Sequence, residues 1–316
     1  MSAPSTWIQR SARAVAAVAI VIVVSFLFVH IVPGDPARAI LGPQASPAAV
    51  QELHHALGLD SPLGDQFVRY VGGVLRGDLG TSVANHLPVA GLIADRLAPT
   101  VLLIVYASVL AIVFTVPAAT LAAMRRGAVI DHAVRLLPLV ALGLPAFWLA
   151  LMLIQLLAVR IPIFPAGGYG ETAVEHFQAL TLPAFVTAVA ILPFTIQSLR
   201  VSMVEVFSAD YVAAARARGV PGRDVLLHHV LRNAGIPTVV VLGLNIGWLI
   251  GSTVIVEKIF AIPGIGALLI DATLSRDFPV VQGIALVIAV LVIGINLLTD
   301  VVRMSVDPRL RTGTLR

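Results

Sequence analysis

Apolar residues gather into six long runs, at about 14–32, 100–124, 134–159, 180–199, 236–256 and 281–302, separated by segments rich in Pro, Gly and charge. A helix crosses the ~30 Å hydrocarbon layer with about 20 mostly apolar residues, since it rises about 1.5 Å per residue and pairs its own backbone polar groups. The pattern therefore predicts an all-α integral membrane protein with six transmembrane helices. Pro183 and Pro193 fall inside the fourth run. A membrane bundle tolerates them where neighbours satisfy the freed carbonyls.

Between the runs, segment 33–99 is too long for a simple connector. Its stretch 48–57 sets Val50, Leu53 and Leu57 at helical spacing, with Gln51, Glu52, His54 and His55 on other faces. That reads as a small amphipathic helix over the bundle mouth. Gly42, Pro43, Pro47, Gly58, Pro62, Gly64, Gly72 and Gly73 predict turns in the remainder. Segments 160–179 and 257–279 read as loops on the same side, and 200–233 as the main polar segment on the other. The organisation expected is 1–98 as a first span plus an external segment, 99–303 as a transmembrane core containing the loop 200–234, and 304–316 as a tail.

Composition supports lipid as the solvent. The 316 residues are 58% hydrophobic and 12% charged, with mean hydropathy +0.96 and no cysteine. A soluble domain carries roughly 25% charged residues, so a soluble enzyme is excluded, as is disorder. Without cysteine there are no disulfides, thiolate metal sites, iron–sulfur clusters or cysteine nucleophiles. The pI of about 10.1 comes from arginines that flank apolar runs, which points to a bilayer surface rather than nucleic acid.

Those arginines also set an orientation. Fourteen of the 21 basic residues, from Arg10 and Arg13 through Arg125, Arg126, Arg135 and Arg200 to Arg316, fall on one side of the six runs. The other side has seven basic residues against eleven acids. Positive loops stay inside, so both termini are expected in the cytoplasm. A cleaved signal peptide is the rival reading of the start, with Ala37-Arg38-Ala39 after the first run. That run of about 19 residues exceeds the 7–15 of a signal core, and cleavage would leave five spans.

The chain has no catalytic constellation and no metal-ligand spacing. Its single lysine, Lys258, precedes Ile259, so no P-loop is present. His54-His55 and His228-His229 are adjacent pairs that point to different helix faces. No serine lies in a G-x-S-x-G elbow. Glu257 and Asp300 sit at span ends, where they are expected to reach the interface. Gln155, Gln197, Asn245, Ser252, Thr253 and Asn296 are uncharged interior candidates. Few charges within the spans weaken an ion-driven pump, and a transporter built this way would take its energy from another subunit.

The informative segment is 206–237. Asp210 is expected to cap a short helix over 211–218, which Ala213, Ala214, Ala215 and Ala217 favour. Gly219 supplies a positive-φ terminus, and Val220-Pro221-Gly222 a turn. A second helix over 223–233 is expected to turn Val225, Leu226, Val230 and Leu231 toward the membrane. The result is a stiff two-helix step beneath the bilayer. An alternative is an amphipathic connector held among headgroups by Arg216, Arg218, Arg223 and Arg232.

This loop resembles the coupling loop of permease subunits in ATP-binding-cassette (ABC) importers, whose pattern is Glu-Ala-Ala, three residues, Gly, then an apolar residue and Pro downstream. Ala213-Ala214-Ala215, Gly219 and Ile236-Pro237 match it, with Ala213 in place of the glutamate. Further landmarks resemble the dipeptide/oligopeptide/nickel branch: Pro33-Gly34-Asp35-Pro36, Leu57-Gly58-Leu59-Asp60, Gly77-Asp78-Leu79-Gly80, Asp210-Tyr211-Val212, Leu231-Arg232-Asn233-Ala234, Glu257-Lys258-Ile259-Phe260, Pro263-Gly264, Asp277 before Pro279, and Asp307-Pro308-Arg309. Any one is weak; together, in family order, they cover essentially the whole chain.

The resemblance implies a type I ABC importer permease fold in the plasma (inner) membrane of a prokaryote. It implies a second homologous permease as heterodimer partner, two ATP-binding subunits or one fused ATPase, and an extracytoplasmic substrate-binding protein. ATP and Mg2+ would be used by the ATPases, with no cofactor on this chain and no nucleic acid partner. The expected cargo is di- or oligopeptides or related small solutes. Asp210, Tyr211, Ala213, Ala214, Ala215, Arg216, Arg218, Gly219, Arg223 and Asp224 form the expected ATPase-coupling set; Asn245, Trp248, Ser252 and Asn296 are the pathway candidates. The competing functions are an ion-coupled secondary peptide transporter and a membrane docking scaffold.

Overall fold

A computed structural model describes residues 3–31, 41–42, 44–57 and 60–306. The Pro33–Pro36, Gly58-Leu59 and Asp307–Arg309 landmarks lie outside the described residues.

The described chain is helical: α1 (Ala3–Ile31), α2 (Pro47–Leu57), α3 (Leu63–Leu75), α4 (Val89–Met124), α5 (Val129–Gly143), α6 (Ala146–Ile154, then a π-turn Gln155–Arg160), α7 (Ala173–Phe207), α8 (Asp210–Ala217), α9 (Gly222–Ile259), α10 (Ile265–Leu274) and α11 (Phe278–Val306). Among the described residues four helices are long and apolar enough to cross a membrane: α4, α7, α9 and the Phe278–Val302 part of α11. Shorter apolar stretches are Ala12–Leu27, Ala146–Arg160 and Ile265–Leu274. The molecule is thus a helical membrane protein.

Four sequence expectations require correction. The third run is not one helix: α5 ends at Leu144, which takes extended φ −98°, ψ 105° before Pro145, because a proline ring disfavours helical geometry in the residue ahead of it. Gly64, Gly72 and Gly73 lie within α3 rather than in turns; Phe67, Tyr70 and Val74 repeat at helical spacing, and this apolar stripe outweighs the glycine cost of about 1 kcal/mol each. Segment 257–279 contains α10, with Ile265, Ala267, Leu268 and Ala272 buried. Finally, Glu257 does not reach the interface. It is fully buried and accepts a hydrogen bond from Thr100 Oγ1 at 2.7 Å.

The described residues form two compact units, one of Pro99–Ile262 with residues 294–306 and one of Pro4–Ala98 with Pro263–Ile293. In the first, α7 is the most enclosed of the long helices. It starts with a capping box: Thr172 Oγ1 accepts from the Glu175 amide at 3.3 Å, and Glu175 Oε2 accepts from the Thr172 and Glu171 amides. Leu103, Ala107 and Ala111 of α4 pack with Leu180, Ala184, Ala188 and Ile191 of α7. Small residues let helix backbones approach closely, the main source of packing energy where lipid removes the hydrophobic drive between helices. Val101, Leu102, Val105, Val109 and Val113 of α4 are exposed, a surface that fits lipid or another membrane subunit rather than water.

In the second unit, Val89, Ile93, Ile265, Leu268, Ala272, Val280 and Ile284 form a core, and Phe26 of α1 meets Phe67 and Tyr70 of α3. Helix α2 confirms the expected amphipathic stretch and buries Val50.

Candidate coupling surface

The chain leaves α7 at Ser208 and starts α8 two residues later. Ala209, not Asp210, occupies the N-cap and makes no side-chain cap bond. Asp210 instead lies in the first turn, where its carboxylate meets the positive end of the helix dipole. Val212 and Ala215 are fully buried against Met203 of α7, Ala119 and Ala123 of α4, and Val225 and Val230 of α9. An inner face this apolar docks an eight-residue helix that would not persist alone.

Gly219 ends α8 with φ +79°. Its amide donates to Arg216 O at 2.9 Å, and the next amide, of Val220, donates to Ala215 O at 3.2 Å. These two bonds constitute a Schellman closure, with Val220 packed into the same apolar cluster as Ala215. The left-handed backbone that this closure demands is open to glycine and strained for a β-branched residue.

Tyr211, Ala213, Ala214, Arg216, Arg218, Gly219, Arg223 and Asp224 are all exposed. Tyr211, Ala214 and Arg218 share one stripe at helical spacing. Ala215, expected with them, turns inward and contributes nothing to the outer surface. Arg216 lies 5.6 Å from the Phe207 ring centroid, a cation–π contact that fixes the guanidinium beside the α7 terminus. A cleft of about 530 Å³ at this end is lined by Met124, Arg126, Phe207, Arg216, Val220 and Leu226.

The expected second helix is not separate. After Pro221 the chain enters α9, passes through a π-turn at Val225–Leu231 and continues to Ile259. Val225 and Val230 are buried, as their apolar character required, but against α7 and α8 of the same chain. The loop is thereby continuous with a membrane-length helix at both sides, and only Ser208-Ala209 and the residues 218–221 interrupt the helical path.

Beside the loop lies an ion pair that the sequence reading overlooked. Asp131 in the first turn of α5 is 1% exposed; Arg200 of α7 donates from Nε to its Oδ1 at 2.5 Å. The Gly127 amide donates to Oδ2 at 2.9 Å, and Arg135 stands 3.6 Å away. The hydrogen bond from Arg200, then that from Gly127, hold the Asp131 carboxyl well below the usual carboxylate range. One signal was available: Asp131 is the sole acid between Asp95 and Glu171.

Of the pathway candidates, Asn245 and Trp248 line one cleft of about 440 Å³, with Ala146, Leu149, Val186 and Phe194 among its walls. Asn245 donates to Val241 O at 2.7 Å. Ser252 donates to Leu249 O within its own helix, and Asn296 lies on an exposed face of α11; neither lines that cleft. Among the described residues no group of three or more His, Asp or Glu is placed to hold a metal.

Comparison with known proteins places the chain in a family. Residues 115–312 match the family of binding-protein-dependent transport system inner membrane components, and residues 6–104 match the N-terminal region of such membrane components. The chain is 39% identical over 292 residues to the glutathione transport system permease protein GsiC of Escherichia coli, covering 92% of this chain and 94% of that protein. It is 36% identical over 307 residues to a probable peptide ABC transporter permease protein of Sinorhizobium fredii, covering 96% and 98%. The chain therefore belongs to the binding-protein-dependent inner membrane components, as a non-enzymatic permease subunit of the peptide/oligopeptide ABC importers, whose ATPase activity lies in partner subunits.

Proposed function

We propose that this subunit translocates di- or oligopeptides, or related solutes such as glutathione, across the plasma membrane of a bacterium, driven through segment 210–224 by partner ATPases. In this reading it has six spans with both termini cytoplasmic. It pairs with a homologous permease, receives solute from an extracytoplasmic binding protein, and docks on two ATP-binding subunits or one fused ATPase. The relatives' names, which refer to glutathione and peptides, support the solute class.

One observation carries the mechanism: α8 is closed at Gly219, clamped inward through Val212 and Ala215, and exposes Tyr211, Ala214 and Arg218. A helix held this way moves with α7 and α9 when pushed, whereas a flexible loop absorbs the push. Nucleotide binding closes the ATPases and biases the permease toward one of its two access states; hydrolysis returns it. ATP and Mg2+ stay with the partners, and this chain contributes contact area and stiffness. The external segment 33–99 receives the binding protein, and Asn245 and Trp248 face the solute path.

The test is reconstitution with the candidate ATPases and binding protein in proteoliposomes. ATP-dependent accumulation of labelled glutathione or a labelled dipeptide, lost in Gly219→Val at equal incorporation, supports the reading. Uptake that follows an imposed proton gradient without ATP contradicts it.

A further inference from the structure

We infer that Asp131 and Arg200 are positioning residues for energy coupling: their buried pair locks the α4–α5 turn to α7, so that turn and α8 move as one body. The inference rests on the proposed role of α8 as the ATPase contact.

Four observations lead to it. The pair joins residues 69 apart in sequence through a charge-assisted hydrogen bond with both side chains buried. Both Asp131 oxygens are engaged, from two segments, since the Gly127 amide donates to the second at 2.9 Å. Arg200 lies one turn before Met203 on α7, and Met203 is fully buried against Val212 and Ala215 of α8. Ala119 and Ala123, at the end of α4 leading into that turn, belong to the same cluster. Thus the pair ties α5 and the α4–α5 turn to α7 by charge, and the apolar cluster ties α4 and α7 to α8 by packing.

A purely structural pair could have been apolar. Replacing a buried ion pair with well-packed apolar residues is often neutral or stabilising. What apolar packing does not supply is direction: a guanidinium aimed at one carboxylate oxygen, with an amide on the other, fixes the rotation of α7 relative to the turn. Slippage there would let α8 shift without carrying α4 and α5.

The experiment uses the complete importer in nanodiscs, with ATP hydrolysis measured alone and with the cognate binding protein isolated with its bound solute. Asp131→Asn, the apolar pair Asp131→Leu/Arg200→Met, and Gly219→Val are compared with wild type. The expected result is that the apolar pair recovers the thermal midpoint lost in Asp131→Asn, yet binding-protein stimulation falls about tenfold in both. Asp131→Glu, which keeps the carboxylate, retains part of the stimulation. If the apolar pair restores stability and stimulation together while Gly219→Val is uncoupled, the pair is only structural and the inference fails alone. Full stimulation in Gly219→Val overturns the α8 reading, and this inference with it.

Discussion

Ser82 donates its hydroxyl to Asp277 across 195 positions of sequence, at 2.5 Å, and the Val83 and Ala84 amides donate to the same carboxylate at 3.1 Å each. Asp277 is 1% exposed. It therefore acts as a knot for the turn 82–87, whose ends are drawn together by Ser82 N–H to Leu87 O and Val89 N–H to Gly80 O. In Asp277→Ala three donors lose their acceptor. The expected cost is about 1–3 kcal/mol, chiefly for the Ser82 hydroxyl left buried without its acceptor, since Val83 is half-buried and Ala84 is exposed. Limited proteolysis checks it: new cleavage between 82 and 88 is expected, and an unchanged digest would contradict the knot.

Gly167 lies against the Phe260 carbonyl, and a Cβ there would stand 2.7 Å from that oxygen. The adjacent Gly168 amide donates to the same oxygen at 2.8 Å, so the backbone cannot retreat without breaking a bond. Gly167→Ala is expected to lower stability by about 1–3 kcal/mol, as overpacking does. Gly91→Ala in α4 meets nothing within 4 Å and is expected to be neutral or to stabilise by about 0.5–1 kcal/mol. Thermal unfolding of the two variants in the same detergent compares them directly.

For Asp131 the pH dependence has a definite sign. Its folded-state value is depressed below the ordinary 3.8, so its stabilisation is complete above that ordinary value and is lost as pH falls through the folded one. Asp131→Asn is expected to cost about 3 kcal/mol, the lower end for breaking a buried pair. The gap in thermal midpoint between wild type and variant stays constant from pH 8 to pH 5 and narrows only below about pH 4. A gap that already closes between pH 7 and 5 would contradict the assigned pairing.

At Gly219 two substitutions separate strain from size. Gly219→Ala and Gly219→Val both force a side chain into φ +79°, where nothing lies within 4 Å of the new Cβ. Any loss in the alanine variant is therefore conformational. A cost of about 1 kcal/mol is expected for alanine and more for valine, with solute-stimulated ATP hydrolysis declining in the same order. Wild-type stimulation in both variants would mean that the Schellman closure has no part in coupling.

The sequence pattern exposed most of the long helices because apolar length is what a bilayer selects, and the α8–Gly219 closure because alanine and glycine chemistry is local. Tertiary choices were less visible. The interruption at Leu144-Pro145 was written in the sequence as a pre-proline residue, yet the apolar run hides it, since Gly143, Leu144 and Pro145 are all tolerated in membrane helices. The start of α7 at Ala173 was legible through Thr172-x-x-Glu175, a capping box that a hydropathy reading passes over. Burial of Glu257 and the Asp131–Arg200 pair depend on partners 157 and 69 residues away, which no local periodicity reports. Ala213, Ala214 and Ala215 look alike in sequence. Only packing against Met203 and Val225 separates the inward Ala215 from its exposed neighbours.

Cysteine crosslinking from α8 in the assembled importer tests the central claim most directly. Single cysteines at Ala214, Arg218 and Ala215 are joined by a short bifunctional reagent in inside-out membranes, and adducts are resolved by mass. The account predicts that Ala214→Cys and Arg218→Cys form an adduct with an ATPase subunit and that buried Ala215→Cys does not. No ATPase adduct from either exposed position, or labelling of Ala214→Cys by an impermeant reagent from the outside of intact cells, would contradict it.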